Sequence, residues 1–515
     1  FLGVIFDAKL TWAEHKREAL RKASTWANLI KRVCRVKHGL TPASARHLHD
    51  SVFLAKVTYA ADLWWEPASL KDEGKKRKGA IGFTKHLQSA QRTVALAITG
   101  ALRTSPTDLL IAHAGIYPIE PELRRAAHRA AIRLAGIPTA HPLRKQIDQE
   151  TGRLSRKLTH ESSIRKLLIN YSIDPRRFAT TPNSNRFPPA ASLLNAYVAP
   201  GGKEAAIDDE KRCDATIKIY TDGSMLDGHV GAAAVLYRDG REVAVLKKYV
   251  GLAGEHEVYE AEVIGLLLGL ELLAREQGAD KAAFFIDNQA VLITLRAGTT
   301  NGLGYLFEHL DEAIRLVRER NRGIKLEACW LPGHAGIFGN ERVDDAAKQA
   351  TSRAHSTNDH LPLSLRGETP INPIAAKRTR RAGMAEEWKI WTKDEGDKTR
   401  TERFTREIDP NYPSMQFKKD ADSLTRYQLA MITQLRTGHY PTRSYLHRFT
   451  LAESPRCTHC DIHSETVAHL LTGCRALLQR DRDRKMGVAS CSIAALLTPG
   501  EHTKHLIEYL QKTRE

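Results

Sequence analysis

Four carboxylates stand where predicted elements end or begin. Asp222 closes a β-type run in Ile219-Tyr220-Thr221-Asp222-Gly223-Ser224, and Asp287 closes another in Phe284-Phe285-Ile286-Asp287-Asn288-Gln289. Glu262 lies early in a long helical run, in Tyr259-Glu260-Ala261-Glu262, and Asp344 opens a last one, in Asn340-Glu341-Arg342-Val343-Asp344. If the two strands are parallel neighbours, Asp222 and Asp287 emerge side by side at their C-terminal ends, in the crevice where open α/β sheets place ligands. Two helical carboxylates would complete a site for two hard cations. Mg²⁺ takes oxygen ligands and fills its shell with water and substrate phosphate. Two such ions about 3.5–4 Å apart activate an attacking water and stabilise the departing oxygen of a phosphodiester. Several acids are needed because the phosphate brings negative charge of its own.

Neighbouring acids compete for these roles. Glu260 and Glu262 point about 200° apart on a helix and cannot share a site. Glu262 shares its side with Val258, Gly265 and Gly269, and the glycines would allow close approach to a sheet. Glu260 follows His256 by one turn and is expected nearer the rim. Asp344 stacks with Ala347, whereas Asp345 stacks with Lys348 and Gln349 and is expected in solvent. Asp227 is expected in a surface turn. An Asp after a strand also serves as a turn residue or cap. The reading therefore rests on the four acids together.

A second constellation is Cys457-Thr458-His459-Cys460 with His469 and Cys474, a C-x₂-C-x₈-H-x₄-C spacing. Thiolates and imidazole at short intervals suit tetrahedral Zn²⁺. His459 and His463 sit too close to the Cys pair to close a sizeable loop. The plain alternative is three buried cysteines in a helical tail. Gln434 to His439 and Tyr445-Leu446 supply basic and aromatic groups suited to nucleic acid, or to a helix end and its packing.

The elements that must position these groups show a change of pattern along the chain. Residues 1 to about 175 read as helices, as in Trp12 to Val36, where apolar residues recur at three and four. Gly74-Lys75-Lys76-Arg77-Lys78-Gly79 reads as an exposed loop, and Thr180 to Gly202 as a polar linker. Three short strands follow, at Thr216–Thr221, Val230–Tyr237 and Val243–Val250, with turn signals at Asp222-Gly223 and Asp239-Gly240. Then come a helix (Glu257 to Glu276), a strand (Ala282–Ile286), helices (Gln289–Arg296, Tyr305–Arg320), a strand (Lys325–Leu331) and a helix (Asn340–Arg353). This is an α/β pattern with a mixed five-stranded sheet flanked by helices. A second linker runs from Ser356 to Pro373, and the remainder is mainly helical. The expected divisions are 1–177 (helical), 178–212 (linker), 213–354 (α/β), 355–376 (linker) and 377–515 (basic and helical, with the Cys/His cluster at 457–474).

Composition agrees with a folded, multidomain chain. At about 150 residues per domain, 515 residues suggest roughly three. No apolar run approaches the ~18 residues that span a bilayer, so no membrane partner is expected. Seven scattered cysteines are not a disulfide framework and point to a reducing compartment, nuclear or cytoplasmic. No secretory signal is read, and an opening Phe1 in place of Met suggests that a longer product precedes it. Net charge is +18: residues 1–200 carry +18, 201–360 carry −7 and 361–515 carry +7. Basic flanks suggest a polyanionic partner, and an acidic centre between them suits divalent metal.

Thr221-Asp222-Gly223-Ser224, Ala261-Glu262, Asp287-Asn288-Gln289-Ala290 and the block from Gly333-His334-Ala335-Gly336 to Asp344 resemble ribonuclease H of the cellular type over roughly 214–354. The resemblance implies cleavage of the RNA strand of RNA–DNA hybrids with two Mg²⁺ or Mn²⁺ ions, leaving a 5′-phosphate. It implies that Asp222, Glu262, Asp287 and Asp344 are metal ligands and that His334 assists proton transfer or product release. Gln289 and Ser224 would touch the hybrid in its minor groove. The stretch from Ala297 to Tyr305 is short and uncharged where some relatives carry a basic protrusion, which leaves grip on the hybrid to the flanks.

The flanks resemble non-LTR (LINE-type) retrotransposon polyproteins. Phe1-Leu2-Gly3-Val4-Ile5-Phe6-Asp7, Leu10-Thr11 and His15 look like the passage from reverse-transcriptase palm to thumb. Ala97-Ile98-Thr99-Gly100 and Arg103-Thr104-Ser105-Pro106-Thr107 look like the connection that follows, and the tail looks like the zinc-knuckle region. That implies element RNA as a further partner. Tyr59-Ala60-Ala61-Asp62 has one acid and runs into Leu63-Trp64-Trp65, so it is read as packing and no polymerase site is expected. Lys75–Lys78 and Lys377-Arg378-Thr379-Arg380-Arg381 read as surface loops with phosphate affinity, or as import signals. The function expected is a metal-dependent endoribonuclease on hybrids within a reverse-transcription protein, with no organic cofactor. The alternatives are a catalytically inactive nucleic-acid-binding remnant and a recombinase, which would need a different order of acids.

Overall fold

A computed structural model describes residues 2–35, 39–68, 79–154, 161–180, 194–298, 303–357, 360–395, 400–413, 415–484, 487–488, 490–500 and 502–512. The Lys75–Lys78 run, most of the first linker and residues 299–302 lie outside them. The chain forms two compact units, Arg129–Arg380 and Phe1–His128 with Arg381–Glu515. The boundaries therefore differ from those expected: the two basic flanks share one unit, and 129–177 belongs with the centre. Among the described residues no helix is long and apolar enough to cross a membrane.

The central unit holds a mixed sheet flanked by helices, with six strands where five were expected. They are β1 (Asn195–Tyr197), β2 (Ile217–Leu226), β3 (His229–Arg238), β4 (Arg241–Leu252), β5 (Lys281–Ile286) and β6 (Lys325–Trp330), in the order β1-β6-β5-β2-β3-β4. β1 and helix α1 (Gly202–Arg212) come from the stretch read as a linker. β1 is only three residues long and pairs in parallel with β6 at Asn195–Glu327 to Tyr197–Cys329, so no periodic signal announces it. β2, β3 and β4 form an antiparallel meander. Its two tight turns put Asp227-Gly228 and Asp239-Gly240 at positive φ, as two-residue hairpins require. β2–β5 and β5–β6 are parallel.

Helix α2 (Val258–Arg275) is almost wholly apolar and is buried on one face of the sheet with α3 (Gln289–Ala297) and α4 (Gly304–Arg320). Ile217, Ile219, Ala232, Ala234 and Phe284 meet Leu266, Leu267 and Leu270 there. On the other face Tyr220, Ala233, Val235 and Phe285 pack on Val343, Ala346 and Ala347 of α5 (Phe338–Ala350). A Cβ on Gly269 would lie 2.9 Å from the Ile219 Cγ2 and 3.0 Å from the Phe284 ring, so α2 does approach the sheet closely.

The described residues of Ser356 to Pro373, read as a linker, are also built in. Thr357 and Ser356 bond the β4 backbone, and Ile371 bridges Phe178. Lys377–Arg381 lie in helix α6 (Pro373–Glu395) rather than a loop, with Arg378 paired to Glu257 at 3.2 Å.

In the other unit, helix Ala13–Val33 packs with helix Ile81–Thr99. Buried Arg426, from helix Arg426–Arg436, donates to the carbonyls of Leu40, Cys34 and Ala97. Contacts so distant in sequence explain why local composition suggested two separate flanks. Within Tyr59 to Trp65, Ala61, Trp64 and Trp65 are buried, whereas Tyr59 is exposed.

Candidate functional site

The parallel β2–β5 ladder ends at Thr221–Ile286, so Asp222 and Asp287 stand at the same level just past its end. Asp222 does not end its strand, however. It sits mid-strand, opposite Ala233, because β2 runs on to Leu226 beside β3. Gly223 is required there by proximity: a Cβ on it would lie 2.6 Å from the Glu262 backbone nitrogen. The missing side chain lets the first turns of α2 rest on β2 and brings Glu262 to Asp222. Gly265 supports the same approach, since its Cβ would meet the Asp222 carbonyl at 3.2 Å.

One ligand oxygen each from Asp222, Glu262 and Asp287 lie within 4.8 Å of one another. Asp344, on α5, faces the same cleft of about 520 Å³, which is also lined by Ser224, Asn288, Gln289, His334 and Asn340. Asp344, Glu341 and His334 form a second group within 4.8 Å. The structure thus brings all four expected acids to one cleft, with Asp344 outside the 4.8 Å group of the other three but close enough for its charge to act on Asp222 and Asp287. His334 and Gln289 are exposed, and His334 has a φ of 53° in the loop before α5. The β6–α5 loop is close to the acids, a Cβ on Gly333 lying 3.1 Å from Asp287 Oδ2.

Crowding like charges under low solvent access favours the protonated forms. Burial, then the charges of Asp287 and Asp344, push Asp222 up to about 7. Burial and Asp222 push Glu262 well above the usual carboxylate range. Asp287 is raised by burial and by Asp344. Glu262 Oε2 is buried with no hydrogen-bond partner among the described residues. An orphaned carboxylate oxygen among three more acids fits a divalent cation.

Glu260 and Lys348 depart from the sequence reading. Glu260 is not at the rim but fully buried. It accepts from the Tyr305 hydroxyl, and its Oε2 lies 3.1 Å from His256 Nδ1 and 3.4 Å from Asn372 Nδ2. Asn372 comes from the supposed second linker, which is why the sequence did not show this burial. Lys348 pairs with Asp344 at 2.7 Å rather than with Asp345, following the i,i+4 rule, and Asp345 is exposed. Glu341 was not singled out, although its i,i+3 relation to Asp344 was a usable signal. Asn288, whose side chain caps α3 at Ala290 N and bonds Glu262, was also passed over.

In the other unit Cys457, Cys460, His469 and Cys474 each offer a ligand atom within 4.8 Å of the rest. Cys457 Sγ lies 3.9 Å from Cys474 Sγ, and Cys460 Sγ lies 3.4 Å from His469 Nε2. A tetrahedral ion with Zn–S near 2.3 Å requires an S···S edge of about 3.8 Å. A tight hairpin presents the first pair, with Cys457 N donating to His463 O at 2.9 Å. Burial pushes the Cys457 thiol up to about 11, whereas backbone N–H groups of His463 and Ile462 lower Cys460. The donor set and spacing fit zinc. His459 lies instead 3.5 Å from Arg480.

No protein-family model matches the chain, and no curated protein matches it. Among solved structures, RNase H1 from the halophilic archaeon Halobacterium salinarum NRC-1 is 25% identical, with a TM-score of 0.20, covering 26% of this chain and 96% of that one. LC11-RNase H1 in complex with RNA/DNA hybrid is 20% identical, with a TM-score of 0.23, covering 27% and 99%. The N-terminal RNase H domain of rv2228c from Mycobacterium tuberculosis is 24% identical, with a TM-score of 0.22, covering 27% and 94%.

Proposed function

We propose that the chain is a metal-dependent endoribonuclease that cleaves the RNA strand of RNA–DNA hybrids. The observation that carries this reading is the convergence of Asp222, Glu262, Asp287 and Asp344 on one cleft, with a Glu262 oxygen buried and unpartnered. These four would hold two Mg²⁺ or Mn²⁺ ions, which when bound supply an activated water and stabilise the departing 3′-oxygen. Cleavage of that P–O bond leaves a 5′-phosphate on one product and a 3′-hydroxyl on the other. His334, exposed at the lip, is placed to take up or deliver a proton as product leaves. Ser224 and Gln289 line the same cleft and would contact the hybrid. Cys457, Cys460, His469 and Cys474 would hold a structural Zn²⁺. The proposal extends to a retrotransposon reverse-transcription protein as parent and element RNA as partner, carried by the sequence resemblances of the flanks, and to an intracellular setting, carried by the scattered cysteines.

One observation favours the second reading, a nucleic-acid-binding chain without catalysis. The Lys348 ammonium already occupies Asp344, at 2.7 Å. Incubation of the intact chain with a hybrid labelled in its RNA strand separates the two. Mg²⁺-dependent fragments with 5′-phosphates are expected, lost in Asp287→Asn. Binding without cleavage at any Mg²⁺ or Mn²⁺ concentration would select the second reading.

A further inference from the structure

The central unit has a second polar pocket, of about 230 Å³, between β4 and the segment that follows α5. Lys248 forms its floor. It is opposite Ala232, whose side of the sheet is the one covered by α2. Lys248 is only 3% exposed. Its Nζ donates to the Gly367 carbonyl at 2.8 Å, and no carboxylate pairs with it among the described residues. Burying an ammonium without a counter-charge is costly, so a protein supplies an anion or the group gives up its proton. Burial and the nearby Arg353, opposed in part by Glu368, push Lys248 down to about 8.

The counter-charge nearby is shared: Glu368 acts on Lys248 but also on Arg353. Arg177, Arg353 and Arg366 line the pocket against two acids, Glu255 and Glu368. Both acids are already engaged, Glu255 by Arg177 at 3.1 Å and Glu368 by Arg353 at 3.5 Å. Arg366 spends its Nε on the Leu361 carbonyl and pairs with no acid among the described residues. Thr369 Oγ1 is buried with no hydrogen-bond partner among them. Two cations that make no ion pair among the described residues and an orphaned hydroxyl thus meet in one concavity.

We propose that this pocket binds a phosphate group, with the Lys248 ammonium as its buried counter-charge, the Thr369 hydroxyl as a donor and the Arg366 guanidinium closing from the rim. Guanidinium and ammonium donors match phosphate oxygens, and a pocket of this size accepts the group whether it is free or part of a chain. The site needs no ion in the acidic cleft, so it stands independently of the hydrolytic reading. The register Lys248–Ala232–Gly223 nevertheless puts it two strands from Asp222, about 10 Å at the usual strand spacing.

Calorimetric titration of the intact chain with inorganic phosphate, at low salt and without divalent ions, tests this. Saturable one-site binding is expected, weakened at least tenfold in Lys248→Met and in Arg366→Gln. Arg366 is exposed, so its variant reports even if Lys248→Met folds poorly. Asp222→Asn should bind phosphate as the parent does. The source of the phosphate is read from the salt dependence of hybrid binding. A slope reduced by about 0.7–0.9 in Lys248→Met identifies a nucleic-acid backbone, and an unchanged slope identifies a free or small-molecule phosphate. No phosphate binding, or equal binding by the parent and both variants, overturns the proposal.

Discussion

Asp222→Asn should stabilise the central unit when divalent ions are withheld. The Asp222 carboxyl, ordinarily at 3.8, is pushed up to about 7 by burial and by Asp287 and Asp344. The folded state therefore holds this proton more tightly than the unfolded chain. That contribution favours folding fully below the unfolded value and is lost as pH rises through about 7. At about 1.4 kcal/mol per pKa unit, the ionised carboxylate costs the fold about 4 kcal/mol at pH 8 and about 2 kcal/mol at pH 5. Asparagine carries no such charge. Urea unfolding followed by circular dichroism in Mg²⁺-free buffer should place the variant above the parent at pH 8, with the gap narrowing by about half at pH 5. Added Mg²⁺ should close the gap by stabilising the parent, since the ions bind the native state alone. A variant less stable than the parent at pH 8, or a gap that ignores pH, would refute the crowded-acid reasoning.

Cys457→Ser should remove most of the zinc counted by mass spectrometry and lower the melting temperature, because Cys457 and Cys474 lie inside the C-terminal core; unchanged zinc content would dismiss the site. Lys348→Met frees Asp344 from its ammonium, so half-maximal cleavage should need several-fold less Mg²⁺, and a higher requirement would contradict the competition. Glu260→Gln weakens the buried bonds to His256 and Tyr305 and should cost about 2 kcal/mol of stability while the folded fraction keeps its Mg²⁺ requirement. A shifted Mg²⁺ requirement would mean that Glu260, not Glu262 alone, reaches the ions.

The elements around the cleft were legible because each carries its own signal. Alternation marks the meander, Asp-Gly pairs mark its turns, and the run from Val258 to Arg275 marks the buried helix. Asp222-Gly223 was misread because glycine after an acid signals both a turn and a close approach. Only the fit of α2 against β2 distinguishes them. Helical periodicity correctly separated Glu260 from Glu262 but could not say what covers the far side. Tyr305 and Asn372 do so from about 45 and 112 residues away. β1 escaped notice because a three-residue edge strand gains its place from β6 rather than from its own composition. The gathering of Cys457, Cys460, His469 and Cys474 was legible from their spacing, since all four lie within one short segment.

The most direct test of the central claim is anomalous scattering from crystals of the intact chain grown with Mn²⁺ and a non-cleavable hybrid. Two peaks about 4 Å apart are predicted, one among Asp222, Glu262 and Asp287 and one between Asp222 and Asp344. A cleft without manganese, with Lys348 still on Asp344, would contradict the account.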